Sequence, residues 1–511
     1  MALLRRYRLL RLIAFAAFAG VAYGPLAGVL SACWNEAFAS LAEVLSARRV
    51  ELLLRSLVFS LCVASFTSLI GLLAALAVLR HGPRRAVRLQ WVLLASVALP
   101  PTVCALAWSQ FFALLPQRIV GHELQAMLAQ SMALLPFATG VAMFAVRTSD
   151  RLLLDAARVL VSPARLLFGV AVPLARPMLL SGATLVFLLS LLDYTIPSIF
   201  GVNLYSLEIF VVFSATHRVA DAFSLSLPLL ACALLLLATL SGLPRRLAQD
   251  AESGFPRDGA LPLLLQWAVV LAALLAGAAL LAPLLAFLPA LGDAAYLQRT
   301  IRSSWNETSY TLVTSVAAAL IALLLAVGPA LEMARGGRRG RMLGTVCLLP
   351  FLLPPALTGI GLIALWSPLE RLTLYGGPGM SVAAELARFT PVAIVVLATS
   401  FLRTDPALVD AALVSGSSLW RIVTGVLLPL ATPGLAAAAG IVFVLSLGEI
   451  GANLLVTPPG SATLSMKTYN YLHYGGSPAA AGLCLLLVLL AALGAGLPAL
   501  AVRLTSKLRR S

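Results

Sequence analysis

The chain has 511 residues and a net charge of +16; 61% of its residues are hydrophobic, 11% are charged, and its mean hydropathy is +0.99. Soluble globular proteins contain about 45–50% apolar residues, so this composition excludes a soluble globule and indicates a polytopic protein embedded in a lipid bilayer. The positive charge does not indicate a nucleic-acid-binding protein, because the arginines lie in short clusters between apolar runs of about 20 residues, the length that a helix needs to cross a bilayer.

The apolar runs predict an all-α fold of about twelve transmembrane helices. The first run follows an arginine-rich start, but it is long and lacks a clear small-residue cleavage site, so we interpret it as a retained span and not a signal peptide. The first six spans are predicted near 11–31, 54–79, 89–115, 124–146, 177–200 and 223–243. The last six are predicted near 262–291, 308–334, 342–367, 381–402, 433–456 and 479–503.

The two halves of the sequence repeat each other. The repeat predicts a first six-helix domain at 1–246, a linker at 247–261 and a second six-helix domain at 262–511. Two parallel six-span units can pair around an axis along the membrane normal, where we expect the transport pathway. Matched pairs 256 residues apart are Pro173 and Pro429, Asp193 and Glu449, and His217 and His473; the pairs Pro100-Pro101 and Pro354-Pro355 lie 254 apart.

The distribution of basic residues predicts the orientation of the spans. Lysine and arginine favour cytoplasmic loops, and the basic clusters alternate in a way that places both termini and the linker in the cytoplasm. The same bias places the segment from Asp405 to Pro429 on the cytoplasmic face.

The segment 405–429, here called the second break segment, predicts a helix, a break and a second helix. Asp405 before a proline is typical of an N-cap, and Gly416 can adopt the left-handed conformation that ends a helix. Ser417 or Ser418 can then cap the next helix. Five apolar residues at helical spacing predict one apolar face on that helix: Leu419, Ile422, Val423, Val426 and Leu427.

The residues Asp410-Ala411-Ala412, Gly416 and Pro429 resemble the EAA loop of permease subunits of binding-protein-dependent ABC importers, with Asp in place of Glu. That resemblance implies that the loop docks on a separate ATPase subunit. The alternative is a capped amphipathic surface helix of the kind found in any membrane protein. A partial copy occurs at 155–173, the first break segment: Asp155-Ala156-Ala157 and Pro173 match, but Val161 replaces the glycine and the spacing is one residue shorter. Whether both copies bind ATPases equally stays open.

The duplicated chain, its paired prolines and the segment Glu449-Ile450-Gly451-Ala452-Asn453 resemble the iron(III), thiamine and phosphonate branch of these importers. The resemblance implies the type I importer transmembrane fold, a bacterial inner-membrane location, two ATPase subunits and a periplasmic substrate-binding protein. It makes iron(III) the first cargo to consider, with 2-aminoethylphosphonate, thiamine or a polyamine as alternatives. The paired prolines themselves fall in the third predicted span of each half.

The sequence predicts a transporter subunit and not an enzyme. The lysines, Lys467 and Lys507, do not follow the glycine pattern of a P-loop, so ATP hydrolysis is expected on partner subunits. The six cysteines form no CxxC or Cys/His cluster, and we expect no catalytic residue, cofactor or metal site on this chain.

Asp193 and Glu449 are candidates for a pathway or gate, since carboxylates within membrane spans are costly and indicate function. A structural role near a helix end is the alternative. His217 and His473 can contact a binding protein or belong to an interfacial aromatic belt. The rival class is an ion-coupled secondary transporter, which predicts a set of polar relay residues near the membrane midplane that the sequence does not show; a structural scaffold is a more distant alternative.

Overall fold

The structure is a computed structural model, and it describes residues 13–33, 46–79, 99–113, 120–147, 151–240, 263–287, 294–335, 337–369, 376–473 and 477–508. Within these ranges the chain is helical and contains no strand. The predicted linker 247–261 and the domain boundary beside it lie outside the described residues.

The first half contains eleven α-helices among its described residues, and a π-helix at Leu167–Ala171 joins the seventh to the eighth. These helices are α1 Ile13–Ala22, α2 Gly24–Ala32, α3 Ala47–Leu79, α4 Pro101–Ala113, α5 His122–Arg147, α6 Arg151–Leu160, α7 Pro163–Leu166, α8 Val172–Leu192, α9 Thr195–Ile199, α10 Tyr205–Thr216 and α11 Val219–Leu240.

The second half continues with thirteen α-helices in its described ranges, and its own π-helix lies at Val423–Leu427. They are α12 Leu263–Phe287, α13 Ala294–Ser303, α14 Trp305–Ala334, α15 Gly337–Leu348, α16 Pro355–Trp366, α17 Pro378–Leu402, α18 Pro406–Val414, α19 Leu419–Ile422, α20 Leu428–Leu430, α21 Thr432–Leu447, α22 Asn453–Val456, α23 Leu464–His473 and α24 Ser477–Leu508.

These helices make a polytopic membrane protein. By length and apolar composition, seven helices in the described ranges can cross a membrane, and three bent helix pairs raise that number to ten if each pair is one span. The other two predicted spans overlap α4 and α24, so each of the twelve predicted runs contains a helix. Apolar side chains such as Leu235, Leu274 and Leu324 are exposed on the outside of the bundle, where lipid would cover them.

Three predicted spans have different bounds in the structure. The second begins at Ala47 instead of residue 54, because its helix continues through Arg48 and Arg49, which both pair with Glu208 of α10. The fifth and eleventh end early, at Leu192 and Leu447 instead of 200 and 456, since the chain turns at Asp193 and Glu449 before a new short helix begins.

The first span of each half packs against helices of the other half. The buried residues Phe18 and Ala22 of α1 belong to a core made mostly by the second half. Gly28 of α2 lies directly against the backbone of Gly361 in α16. In the reciprocal direction, α12 packs its alanines at 272, 276 and 279 against Ala74 of α3 and Leu135 of α5. This exchange fixes the two halves to each other.

The internal repeat extends to irregular features of the backbone. The π-helices start at Leu167 and Val423, which are 256 residues apart, and prolines lie inside the matching helices α5 and α17 at Pro136 and Pro391. The proline pair at 354–355 breaks the third span of the second half, where the two helical parts meet at 89°. Proline removes a backbone donor and clashes with the preceding turn, which explains the break.

Candidate functional site

The second break segment has the local structure that its sequence predicts. The Asp405 side chain accepts a hydrogen bond from the Ala407 backbone N–H at 2.9 Å and so caps α18. Gly416 ends this unit in the left-handed conformation, with φ +75°. The hydroxyl of Ser418 then accepts from the backbone N–H three residues later at 3.4 Å, at the start of α19. Docking on an ATPase stays a prediction.

The first break segment reaches a similar shape with different residues. Ser162 has extended backbone angles and Pro163 is the first residue of α7, as the sequence predicts, but the Ser162 side chain makes no capping hydrogen bond. The residues that match the EAA loop lie on α6 and α18: Ala156, Asp410 and Ala411 are exposed, whereas Asp155, Ala157 and Ala412 are half-buried. Pro173 and Pro429 are exposed, and each follows a π-helix.

Both break segments expose large apolar side chains. Val159 and Leu160 of the first are 86% and 81% exposed, and Val414 and Trp420 of the second are 89% and 75% exposed. Burying one such side chain against a partner gains about 1.5–3 kcal/mol. On the second helix of the second segment, Ile422 is buried while Arg421 and Thr424 are exposed, as the predicted apolar face requires at these three positions. The two segments therefore offer two surfaces of the same kind for a protein partner.

A cavity of about 230 Å³ lies between the two halves. Matched positions of the repeat, among them Asp193 and Glu449, both contribute to its lining. The lining includes residues of both proline pairs, both carboxylates that the sequence analysis singled out, and one arginine. These residues are Pro100, Pro101, Pro355, Asp193, Glu449 and Arg388. Asp193 and Glu449 are thus brought together in one cavity.

Asp193 ends α8 and is held by donors of the first half. Its Oδ1 accepts from the Thr195 backbone N–H at 2.9 Å and from the Thr195 hydroxyl, and its Oδ2 accepts from Gln130 Nε2 at 3.2 Å. Gln130 is held in turn by Ser190, whose hydroxyl donates to Gln130 Oε1 at 3.0 Å. Three described donors therefore hold the Asp193 carboxyl group in place.

Glu449 is held by one backbone donor and one cation. Its Oε1 accepts from the Ala452 N–H at 2.7 Å, and its Oε2 forms an ion pair with Arg388 of α17. Arg388 is also attracted by Asp193 of the other half. Its Nε is buried and has no hydrogen-bond partner among the described residues. The guanidinium therefore interacts with the carboxylates of both halves, and its Nε–H donor stays unused among the described residues.

Two hydrogen bonds join the halves beside this cavity. The Tyr194 hydroxyl donates to the Gly451 carbonyl at 2.9 Å, and the hydroxyls of Ser198 and Tyr469 lie 2.8 Å apart. Both tyrosine contacts cross from one repeat to the other, next to the ends of α8 and α21. Polar contacts therefore join the two halves at the ends of α8 and α21.

Sequence reasoning missed three residues of this region: Gln130, Glu385 and Arg388. Glu385 is fully buried in α17 and accepts from Asn453 Nδ2 at 3.3 Å. Two charged residues at i and i+3 inside the predicted span 381–402 were a signal that could have identified Glu385 and Arg388, because intramembrane charges are rare. Gln130 carries no such signal.

The two histidines have no shared site in the described residues. His217 caps the end of α10 in the left-handed conformation, with φ 55°, and its ring stacks on Phe213 at 6.1 Å. His473 ends α23. Contact of either histidine with a binding protein stays a prediction.

A sequence profile described as "Binding-protein-dependent transport system inner membrane component" matches residues 318–506. The molybdenum transport system permease protein of Mycobacterium tuberculosis is 34% identical over 218 residues, which cover 38% of this chain and 78% of that protein. The chain belongs to the binding-protein-dependent transport permease family. A molybdate/tungstate permease of Thermococcus kodakarensis is 30% identical to this permease over 194 residues, 37% of this chain and 76% of the relative.

A putative 2-aminoethylphosphonate permease of Salmonella typhimurium is 27% identical to this permease over 187 residues, 36% of this chain and 70% of the relative. These relatives are ABC transport permeases by name, which confirms the class that the second break segment predicts. They are named for transport and not for catalysis, in keeping with a permease that is not an enzyme.

Proposed function

We propose that this permease forms the membrane pathway of an ABC importer for a small solute with an oxyanion group, and that two separate ATPase subunits dock on its two break segments. The observation that supports this most is a helical connection in each half. From the first break segment a π-helix leads into α8, which ends at Asp193; from the second, a π-helix and α20 lead to a 71° bend, after which α21 runs to Glu449. A movement imposed on either segment would reach a cavity carboxylate.

The length of this connection suits energy coupling. The 21 residues of α8 span about 31 Å at 1.5 Å per residue, roughly the thickness of a bilayer core. Docking surfaces at one membrane face would thus act on the cavity near the other face. We place the break segments and both termini in the cytoplasm, the cavity towards the outside, and a substrate-binding protein above the cavity.

Cysteine labelling tests this orientation. Asp250→Cys in the linker should resist a membrane-impermeant maleimide added to intact cells, whereas Thr216→Cys, at the opposite end of the bundle in our assignment, should react. Thr216 is exposed at the end of α10. Labelling of both positions only after permeabilisation, or of Asp250→Cys alone, would contradict the proposed orientation.

The cargo proposal draws on the relatives and on the cavity. The relatives reported above are named for 2-aminoethylphosphonate, molybdenum, and molybdate or tungstate, all of which present oxyanions, and Arg388 is a cation in the cavity. At about 230 Å³ the cavity is smaller than the roughly 300 Å³ at which typical ligand pockets begin. Iron(III) rests on the resemblance of the sequence, and the described residues contain no cluster of metal ligands.

Reconstitution tests the function directly. The full permease would be purified with its ATPase and its substrate-binding protein and placed in proteoliposomes. We expect ATP-dependent uptake of 2-aminoethylphosphonate or molybdate that requires the binding protein. Uptake of iron(III) alone would overturn the cargo, and uptake driven by an ion gradient without ATP would favour the secondary-transporter class.

A further inference from the structure

Arg388, from the second half, places a positive charge in the cavity between the halves. Among the described lining residues it is the one cation, and Asp193 and Glu449 are the two anions. The position that matches Arg388 in the first half is Ala133, 255 residues earlier, which lines the same cavity. The repeat therefore supplies two carboxylates but only one guanidinium.

Arg388 has hydrogen-bond donors that its described partners do not use. Asp193 is satisfied by Thr195 and Gln130, and Glu449 keeps the Ala452 N–H when its ion pair is broken. A guanidinium has five N–H donors in a fork that suits tetrahedral oxyanions, and the Nε of Arg388 has no described partner. An oxyanion can therefore replace Glu449 as the partner of Arg388, while Glu449 keeps its hydrogen bond from the Ala452 N–H.

The charge balance restricts the kind of cargo. Two carboxylates and one guanidinium carry a formal charge of −1, so a dianion without a positive group would increase an excess of negative charge that the low-dielectric cavity penalises. A small zwitterion brings both signs. Its oxyanion fits Arg388, and its ammonium fits the carboxylate that Arg388 releases.

We propose that Arg388 binds the oxyanion of a small zwitterion with an ammonium group during transport, while Glu449 exchanges its ion pair with Arg388 for one with the ammonium. This inference rests on the proposed function, because it assumes that the cargo crosses the cavity. It adds the class of cargo and the two residues that recognise it.

The test uses the complete complex of permease, ATPase and binding protein in proteoliposomes, with 2-aminoethylphosphonate and molybdate as probes. Wild type should import 2-aminoethylphosphonate faster than molybdate. The paired variant Arg388→Gln/Glu449→Gln removes both members of the ion pair at once, so neither is left without the other. We expect it to import 2-aminoethylphosphonate about tenfold to a hundredfold more slowly, since hydrogen bonds to charged groups are lost.

Two control variants distinguish a defect in folding or assembly from a defect in cargo binding. Arg388→Lys retains the charge and should keep more uptake than the paired variant, and the amount of co-purified ATPase reports assembly for each variant. Arg335→Gln/Glu332→Gln removes an ion pair of the same kind that lies at the end of α14, and it should import at the wild-type rate.

The outcomes separate the two proposals. Wild-type uptake of neither probe overturns the proposed cargo and this inference with it. If wild type imports 2-aminoethylphosphonate and the paired variant does so equally fast, the inference fails while the proposed function stands. Faster import of molybdate than of 2-aminoethylphosphonate by wild type would overturn the zwitterion class.

Discussion

Tyr194 of the first half donates a hydrogen bond to the Gly451 carbonyl of the second half at 2.9 Å. Tyr194 directly follows Asp193, and Gly451 lies two residues after Glu449, so this bond joins the two chain turns that present the cavity carboxylates. The Tyr194 ring is buried and stacks on Phe210 with ring centroids 5.6 Å apart. The hydroxyl can therefore release its acceptor while the ring stays packed within its own half.

Tyr194→Phe should weaken the closed arrangement of the cavity. It removes the hydroxyl and keeps the ring, so the loss is one net hydrogen bond, about 1 kcal/mol, together with an unsatisfied Gly451 carbonyl. If the halves separate during transport, ATP hydrolysis by the reconstituted complex without binding protein should rise about fivefold. Tyr205→Phe is the matched control, because the Tyr205 hydroxyl has no hydrogen-bond partner among the described residues. Equal rates for both variants would contradict the gating role of Tyr194.

Gly28→Ala should destabilise the exchange of the first span. A Cβ at Gly28 would overlap the Gly361 carbonyl oxygen, and one at Gly361 would overlap the carbonyl of Pro25, so backbone meets backbone and no flexible side chain can yield. Overpacking of this kind costs about 1–3 kcal/mol, and the thermal unfolding temperature of the purified permease should fall. Gly20→Ala on α1, where nothing lies within 4 Å, should leave that temperature unchanged or raise it. A similar fall for both would show that the close approach is not what matters.

Gly416→Val should weaken ATPase binding if the second break segment docks on that subunit. Gly416 has φ +75°, a conformation that costs a residue with a side chain roughly 1–2 kcal/mol, and a β-branched side chain is among the least suited to it. The amount of ATPase that co-purifies with the permease should fall by about tenfold. Gly425→Ala lies on the same segment, has no positive φ and meets nothing within 4 Å, so it should retain the ATPase. Normal co-purification of Gly416→Val would argue against this docking role.

Local sequence signals predicted local structure well. The N-cap at Asp405, the left-handed Gly416 and the cap at Ser418 depend on a few neighbouring residues, and all three occur in the structure. The twelve apolar runs likewise contain helices, because crossing a bilayer demands length and apolar composition that can be counted. The recurrence of Asp193 and Glu449 at a fixed distance made both candidates for the pathway, and the structure shows that both line one cavity.

Long-range relationships were not predictable in the same way. The close contact of Gly28 with Gly361 joins residues far apart in sequence. The residues around each glycine do not indicate which span it will pack against. The π-helices before Pro173 and Pro429 depend on how each break segment joins its span, and a regular apolar period does not reveal them. Arg388 is different: its charge inside a predicted span was a usable signal, but its pairing with Glu449 appears only in the structure.

The matched pair Gln130 and Glu385 gives the last prediction. Both lie on equivalent helices, 255 residues apart, and each interacts with the matched serine of its own half, Ser190 or Ser446. Gln130 donates to Asp193, whereas Glu385 is fully buried, accepts from Asn453 and has no ion-pair partner among the described residues. A buried carboxylate without a cation is costly, and an amide of the same shape can keep the hydrogen bond from Asn453. Glu385→Gln should therefore unfold at the wild-type temperature or higher.

The opposite substitution in the first half, Gln130→Glu, should destabilise the permease. Gln130→Glu replaces the donor to Asp193 with a second carboxylate, so two negative groups would face each other at hydrogen-bond distance in the interior. An uncompensated buried charge costs about 3–5 kcal/mol, and the unfolding temperature of the purified permease in detergent should fall clearly. Gln130→Met, which removes the donor without adding charge, should lie between wild type and Gln130→Glu. If Glu385→Gln lowered the unfolding temperature as much as Gln130→Glu, the charge of Glu385 would be needed for the fold, and the asymmetry between the halves would have a different origin.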